Sequence, residues 1–196
     1  MSAVTKSPWV LHYDASSCNG CDIEVLAALT PLYDLERFGI INTGNPKHAE
    51  VFLITGSVNE PQITVLRQLY EQMLEPKVVV ACGVCACTGG VFRECYNTLG
   101  GADVAIPVDV YAPGCAIRPE AIIDAVVQGL GILEEKRVLL AAGKLEPAEM
   151  PPLPSAANKT LQGRSVALSW KDAIAQAQES SKEEPSEKEA PAQEEK

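Results

Sequence analysis

Nowhere in the 196 residues is there an apolar run approaching the ~18 residues that a membrane-spanning helix requires, so the chain is expected to meet a membrane only through other proteins. An export signal is also missing: Met1 to Ser7 is polar, and the apolar stretch from Trp9 to Tyr13 is too short for a signal core. The expected compartment is therefore reducing, where thiols serve metals or redox chemistry more often than structural disulfides. Positive charge is in short supply. Lys and Arg number 16 against 26 Asp and Glu, a formal net charge of -10, which argues against nucleic acid as a partner of the bulk surface. Part of that excess lies in Glu179 to Lys196, where seven acids face three bases, so the folded part is only moderately acidic. Histidine is scarce too: of the two present, His12 reads as a strand residue and His48 as a surface loop residue rather than as ligands.

Against these shortages stand seven cysteines, an odd number gathered in short loops. Hydrophobic residues make up 46% of the chain and charged residues 21%, the balance of a folded domain with a real core. Trp9–Tyr13, Val51–Thr55, Lys77–Ala81 and Val108–Tyr111 read as strands, several apolar throughout as strands buried on both faces are. Between them lie helical stretches at Asp22–Leu29, from Glu60-Pro61 to Leu74 with Ile63, Leu66, Leu69 and Tyr70 on one face, and from Pro119 with Ala121, Ile122, Ala125, Val126 and Leu130 as its core stripe. Strands alternating with helices predict a mainly parallel sheet covered on both faces, a three-layer α/β domain. Ligands of such sheets gather outside the carboxyl ends of the strands. Three of the four strands run into a cysteine-bearing loop, so Cys18, Cys21, Cys85 and Cys115 are expected on one rim.

Thiolates are soft anionic ligands that suit iron–sulfur clusters and zinc. Cys18-Asn19-Gly20-Cys21 places two sulfurs on one tight loop, with Gly20 expected to allow the sharp turn. Spacing alone leaves two metal readings open. Cys18, Cys21, Cys82 and Cys85 would make a two-knuckle zinc site. A cluster site would use Cys115 in its Pro-Gly loop and leave Cys82, which continues a buried strand, as a small hydrophobe. A thioredoxin-like pair is a weaker third reading, because further cysteines share the predicted rim.

Three motifs occur in order: Ser17-Cys18-Asn19-Gly20-Cys21-Asp22-Ile23-Glu24, Gly83-Val84-Cys85-Ala86-Cys87-Thr88-Gly89-Gly90, and Asp109-Val110-Tyr111-Ala112-Pro113-Gly114-Cys115-Ala116-Ile117-Arg118-Pro119-Glu120. Together they closely resemble the small-subunit family shared by [NiFe]-hydrogenases and the 20-kDa subunit of respiratory complex I, over roughly residues 9 to 135. The resemblance implies a flavodoxin-like fold and one [4Fe–4S] cluster held by Cys18, Cys21, Cys85 and Cys115. It leaves Cys82, Cys87 and Cys95 as packing residues or bystanders. Gly83, Gly89, Gly90 and Gly114 are expected to let backbone approach the cluster and to offer N–H groups to its sulfurs.

The Asn19-Gly20 spacer resembles hydrogenase small subunits rather than complex I subunits, in which the two cysteines are adjacent. With no cysteine beyond Cys115, the chain resembles the single-cluster, membrane-bound, energy-converting hydrogenases of the Ech type; Ala116-Ile117 depart from the Pro-Pro that commonly follows the fourth ligand. The resemblance then implies an electron-transfer subunit of an oxidoreductase, carrying the proximal cluster between a ferredoxin-like iron–sulfur subunit and a NiFe large subunit. Integral membrane subunits would complete the complex, placing the chain peripherally on the cytoplasmic face of the membrane. The equivalent subunit of a quinone-reducing, complex I-like enzyme is the alternative, and a zinc-stabilised interaction module the more distant one. Glu24, three residues after Cys21, reads either as a proton relay toward the large subunit or as a helix-start acid stabilised by the helix dipole. Arg118 reads as a positive charge near the cluster or a surface ion pair. The expected domains are 1–145, the flavodoxin-like cluster-binding part; 146–178, a Pro-rich extended arm with a short helix from Val166 to Gln178; and 179–196, a disordered acidic tail.

Overall fold

The computed structural model describes residues 7–152. In chain order the elements are β1 (Trp9–Asp14), α1 (Gly20–Leu29), β2 (Ile41–Asn42), β3 (Val51–Thr55), β4 (Val58–Asn59), α2 (Glu60–Gln72), β5 (Val78–Cys82), α3 (Val84–Thr88), β6 (Thr98–Gly100), β7 (Val110–Ala112) and α4 (Pro119–Ala141). Five strands form one sheet in the order β2-β1-β3-β5-β7, and every neighbouring pair is parallel.

The all-apolar strands are explained by burial on both faces. Val51, Leu53, Val78 and Val80 pack with Val25 and Ala28 of α1 and with Ile122 and Val126 of α4. The alternate residues Phe52, Ile54, Val79 and Ala81 pack with Ile63, Leu66 and Tyr70 of α2. The expected three-layer, flavodoxin-like arrangement is thus observed, with the strand order of that doubly wound class. Asn59 caps α2, its Oδ1 accepting from Gln62 N at 3.0 Å, and Pro61 sits in the first turn. Lys77 is buried without waste of its charge: Nζ donates to Tyr70 O at 2.7 Å and Met73 O at 3.2 Å, satisfying the last carbonyls of α2.

Several boundaries move. α1 begins at Gly20 rather than Asp22, which brings Cys21 into its first turn. α4 continues to Ala141, and its buried stripe is Ile122, Ala125, Val126, Gly129 and Leu133, with Ala121 turned outward. The stripe includes a glycine because a Cβ at Gly129 would press to 3.1 Å on Val78. The small antiparallel pair β4–β6 was not foreseen, since two- and three-residue strands carry no readable period. Beyond α4 the chain is irregular to residue 152; Arg67 donates to Pro151 O, and Met150 packs on the α2-side core. The short helix expected at 166–178 and the tail at 179–196 lie outside the described residues. Among the described residues no helix is long and apolar enough to cross a membrane.

Candidate metal centre

The sheet register builds the site. Asp14, Thr55, Cys82 and Ala112 are paired across β1, β3, β5 and β7, forming one level row at the carboxyl edge. Cys18 follows Asp14 by four residues, Cys85 follows Cys82 by three, and Cys115 follows Ala112 by three. Parallel strands ending level send all three loops over the same rim.

The loops are fastened to one another. Gly83 N donates to Ala112 O at 2.8 Å and Val84 N to Gly114 O at 2.9 Å, joining the second and third cysteine loops. Ile117 N donates to the Cys21 sulfur, joining the first and third. A Cβ on Gly83 would lie 2.4 Å from Cys21 Sγ, and one on Gly90 would lie 3.1 Å from Cys85 Sγ. Glycine at these positions lets backbone pass against the thiols. The expected donation of N–H groups to sulfur is corrected at three of the four glycines. Gly83, Gly89 and Gly90 spend their N–H groups on Ala112 O, Cys85 O and Thr88 Oγ1. The sharp turn is made by Asn19, which takes a left-handed conformation (φ 65°), whereas Gly20 makes only ordinary contacts.

Cys18 and Cys115 are exposed at the rim, while Cys21 and Cys85 are half-buried. Burial raises both half-buried thiols above their ordinary value. For Cys21 the Ile117 N–H opposes that rise, and Asp22, Cys18 and Cys115 add to it; for Cys85 the additions come from Cys115, Cys21 and Cys18. Four cysteine sulfurs thus come to this rim, and burial with neighbouring charge disfavours the ionised forms of Cys21 and Cys85 unless a cation offsets both. That is the donor chemistry an iron–sulfur group or another thiophilic metal requires, so the residues fit such a group. Among the described residues no three His, Cys, Asp or Glu side chains are arranged to enclose a single metal ion.

The remaining cysteines separate from these. Cys82, which the zinc reading needs, is fully buried in the core, and burial pushes its thiol well above the ordinary range. Cys87 is buried, donates to Ala81 O at 3.5 Å, and is pushed up to about 11 chiefly by burial. Both thiols stay protonated and act as packing groups. Cys95 is exposed in the loop between α3 and β6.

Glu24 lies one turn beyond Cys21 on α1, half-buried, between the exposed Ile23 and Leu26. It acts electrostatically on Tyr33, as do Glu120 and Arg118 from the start of α4, and Tyr33 Oη donates to Glu120 Oε1 at 3.2 Å. His12 is in β1 as expected, and exposed His48 lies 5.5 Å from Trp9, ring to ring.

Sequence reasoning passed over Asp22. It is buried, yet Ser17 Oγ donates to one carboxylate oxygen, while Thr55 Oγ1 at 2.5 Å and His12 Nε2 at 2.9 Å converge on the other. Burial works to raise its pKa, but those hydrogen bonds and His12 outweigh it, leaving Asp22 below the usual carboxylate range. The only sequence signal was a charged residue directly after a cysteine, on a helix face that also buries Val25 and Ala28.

The family model for the 20-kDa subunit of NADH:ubiquinone oxidoreductase matches residues 18–129. Over 146 residues the chain is 47% identical to the probable membrane-bound hydrogenase subunit mbhJ of Pyrococcus furiosus, covering 74% of this chain and 85% of that protein. It is 38% identical to formate hydrogenlyase subunit 7 of Escherichia coli, covering 76% of this chain and 60% of that longer protein. Among solved structures, a chain of the archaeal membrane-bound sulfane sulfur reductase, a respiratory membrane complex, aligns with a TM-score of 0.60 at 30% identity, covering 89% of this chain and 93% of that one. The resemblance carried by the three cysteine motifs is borne out: the chain belongs to the family of the 20-kDa subunit of NADH:ubiquinone oxidoreductase, whose relatives are subunits of oxidoreductase complexes.

Proposed function

We propose that Cys18, Cys21, Cys85 and Cys115 hold one [4Fe–4S] cluster, and that the chain is the electron-transfer subunit of a membrane-bound [NiFe]-hydrogenase. The observation that carries this reading is the level row Asp14–Thr55–Cys82–Ala112, from which three short loops bring four cysteine thiols to one rim. When bound, such a cluster supplies a one-electron carrier. The protein's part is to hold the four sulfurs, to keep Cys82 and Cys87 protonated and out of competition, and to leave Cys18 and Cys115 at the surface facing partners.

Those partners are a NiFe large subunit, a ferredoxin-like iron–sulfur subunit and integral membrane subunits, which would keep this chain peripheral on the cytoplasmic face. Ile23 and Leu26, exposed on either side of Glu24, are the apolar surface offered to the large subunit. Glu24 is assigned the proton relay, since it sits half-buried on the helix that carries Cys21. The Asn19-Gly20 spacer and the likeness to a hydrogenase subunit favour hydrogen as the product. A second reading, the equivalent subunit of a quinone- or sulfur-reducing relative of complex I, is supported by the family match and by the sulfane sulfur reductase neighbour.

Iron and sulfide analysis with electron paramagnetic resonance of the reduced complex tests the cluster. About four irons and four sulfides per chain, with a reducible signal lost in Cys115→Ser, are expected. Stoichiometric zinc without a reducible signal would overturn it. Hydrogen evolution from reduced ferredoxin by the purified complex then separates the hosts: hydrogen supports the first reading, and quinone or polysulfide reduction without hydrogen supports the second.

A further inference from the structure

We infer that Asp22 is a positioning residue of the cysteine site: its buried carboxylate ties the Cys18–Cys21 turn to β1 and β3, and sets a fixed negative charge beside Cys21 that lowers the reduction potential of the group the cysteines hold. The inference rests on the proposed reading of those cysteines as iron–sulfur ligands.

The geometry distinguishes Asp22 from an ordinary acid in the first turn of a helix. Such an acid is solvated and needs no partner beyond the helix N-terminus. Asp22 is only 8% exposed and is held from three separate segments. Ser17 donates from the turn itself, and Ser17 Oγ in turn accepts from Asn19 N at 2.9 Å, so the peptide between the two cysteines hangs on this link. Thr55 donates from the last residue of β3 at 2.5 Å. His12 approaches from β1 at 2.9 Å, and its Nε2 also lies 3.3 Å from Thr55 Oγ1. The Thr55 hydroxyl has a single proton, and the 2.5 Å contact to Asp22 takes it in preference to Tyr13 O at 3.4 Å. These donors turn a carboxylate next to a cysteine into a rigid joint between the metal loop and the sheet edge.

Partners on both oxygens are the surroundings of an ionised, acceptor-only carboxylate. A buried anion beside Cys21 disfavours the arrival of an electron, because reduction adds negative charge where the dielectric screens it poorly. Charge and hydrogen bonding near the sulfurs are among the chief determinants of iron–sulfur potentials.

The test is the midpoint potential of the signal assigned to this chain by its loss in Cys115→Ser, measured by redox titration of the purified complex at pH 8 with iron and sulfide determined alongside. Asp22→Asn keeps the shape and one acceptor but removes the charge. The expected result is unchanged iron and sulfide with a positive shift corresponding to a tenfold or larger change in the reduction equilibrium, about 59 mV for one electron. Thr55→Val removes a donor and leaves the carboxylate less neutralised, so a smaller shift of the opposite sign is expected. A purely structural role loosens the loop in both variants and moves both potentials the same way. An unmoved potential in Asp22→Asn, or shifts of one sign in both, overturns the inference. Should Asp22→Asn assemble no iron, Thr55→Val decides alone: a negative shift supports the inference, and a zero or positive shift overturns it. Absence of iron and sulfide from the unsubstituted complex instead removes the reading of the ligands, and this inference with it.

Discussion

Gly83 and Cys21 stand so close that a Cβ on the glycine would fall 2.4 Å from the cysteine sulfur. Gly83 also holds φ 87° and ψ 157°, a region essentially reserved for glycine, where other residues incur ~1–3 kcal/mol of strain. Gly83→Ala is therefore expected both to lower the melting temperature and to push the Cys21 sulfur from its place. The purified variant should carry less than half the iron of the parent. Full iron content would show that the close approach is incidental.

The two classes of cysteine predict opposite outcomes. Cys21→Ser and Cys85→Ser should lose iron and sulfide together, whereas Cys82→Ala should keep both. The cost of Cys82→Ala is that of a small core cavity, about 1 kcal/mol, because Cys82 is fully buried among Val80, Val110 and Ala112. Denaturant unfolding and metal analysis read the two effects separately. Metal loss in Cys82→Ala would restore the two-knuckle zinc arrangement.

Alkaline pH offers a check on the α2 side of the core. Burial, with Glu75 and Asp109 adding to it, pushes the Tyr70 phenol up to about 12. Between the unfolded value of about 10 and that folded value, only the native state keeps this proton, so stability falls as pH rises through the interval. At about 1.4 kcal/mol per pH unit, the loss reaches roughly 3 kcal/mol by pH 12. Tyr70→Phe should flatten this slope in urea unfolding between pH 8 and 11. Parallel profiles for the two proteins would contradict it.

Glu24→Gln separates proton from electron movement. If Glu24 relays protons, steady-state hydrogen turnover should fall by roughly tenfold or more, as loss of a positioned acid–base group does. The iron content should stay as it is, because Glu24 holds no sulfur. Full turnover would leave Glu24 as a carboxylate of the first helical turns and nothing more.

The four main strands and three main helices were legible because each buries enough apolar residues to show a period or an unbroken run. Val51–Thr55 is the clearest case, with all five residues buried and its limits the same in sequence and structure. Strand β7 was less legible. Asp109, read as strand, uses its carboxylate to accept from Val79 N at 2.9 Å and to bind Lys136 at 2.7 Å, so the regular pairing begins only at Val110. The rim position of the cysteines followed from strand order, which sequence reports well. What escaped was polar satisfaction between segments distant in the chain. Nothing in the neighbourhoods of His12, Ser17 or Thr55 announces that all three meet Asp22, because hydrogen-bond partners leave no periodic trace. The glycine N–H groups were misassigned for the same reason.

The level ends of β1, β3, β5 and β7 act as a ruler. The first cysteine of each loop stands a set number of residues past one shared edge, four for Cys18 and three each for Cys85 and Cys115. Adding one residue to such a loop displaces its sulfur by up to ~3.3 Å, the rise of one extended residue, which is more than a metal–sulfur bond length of about 2.3 Å. Loop length between the edge and the cysteine is therefore under tighter constraint than most of the side chains there.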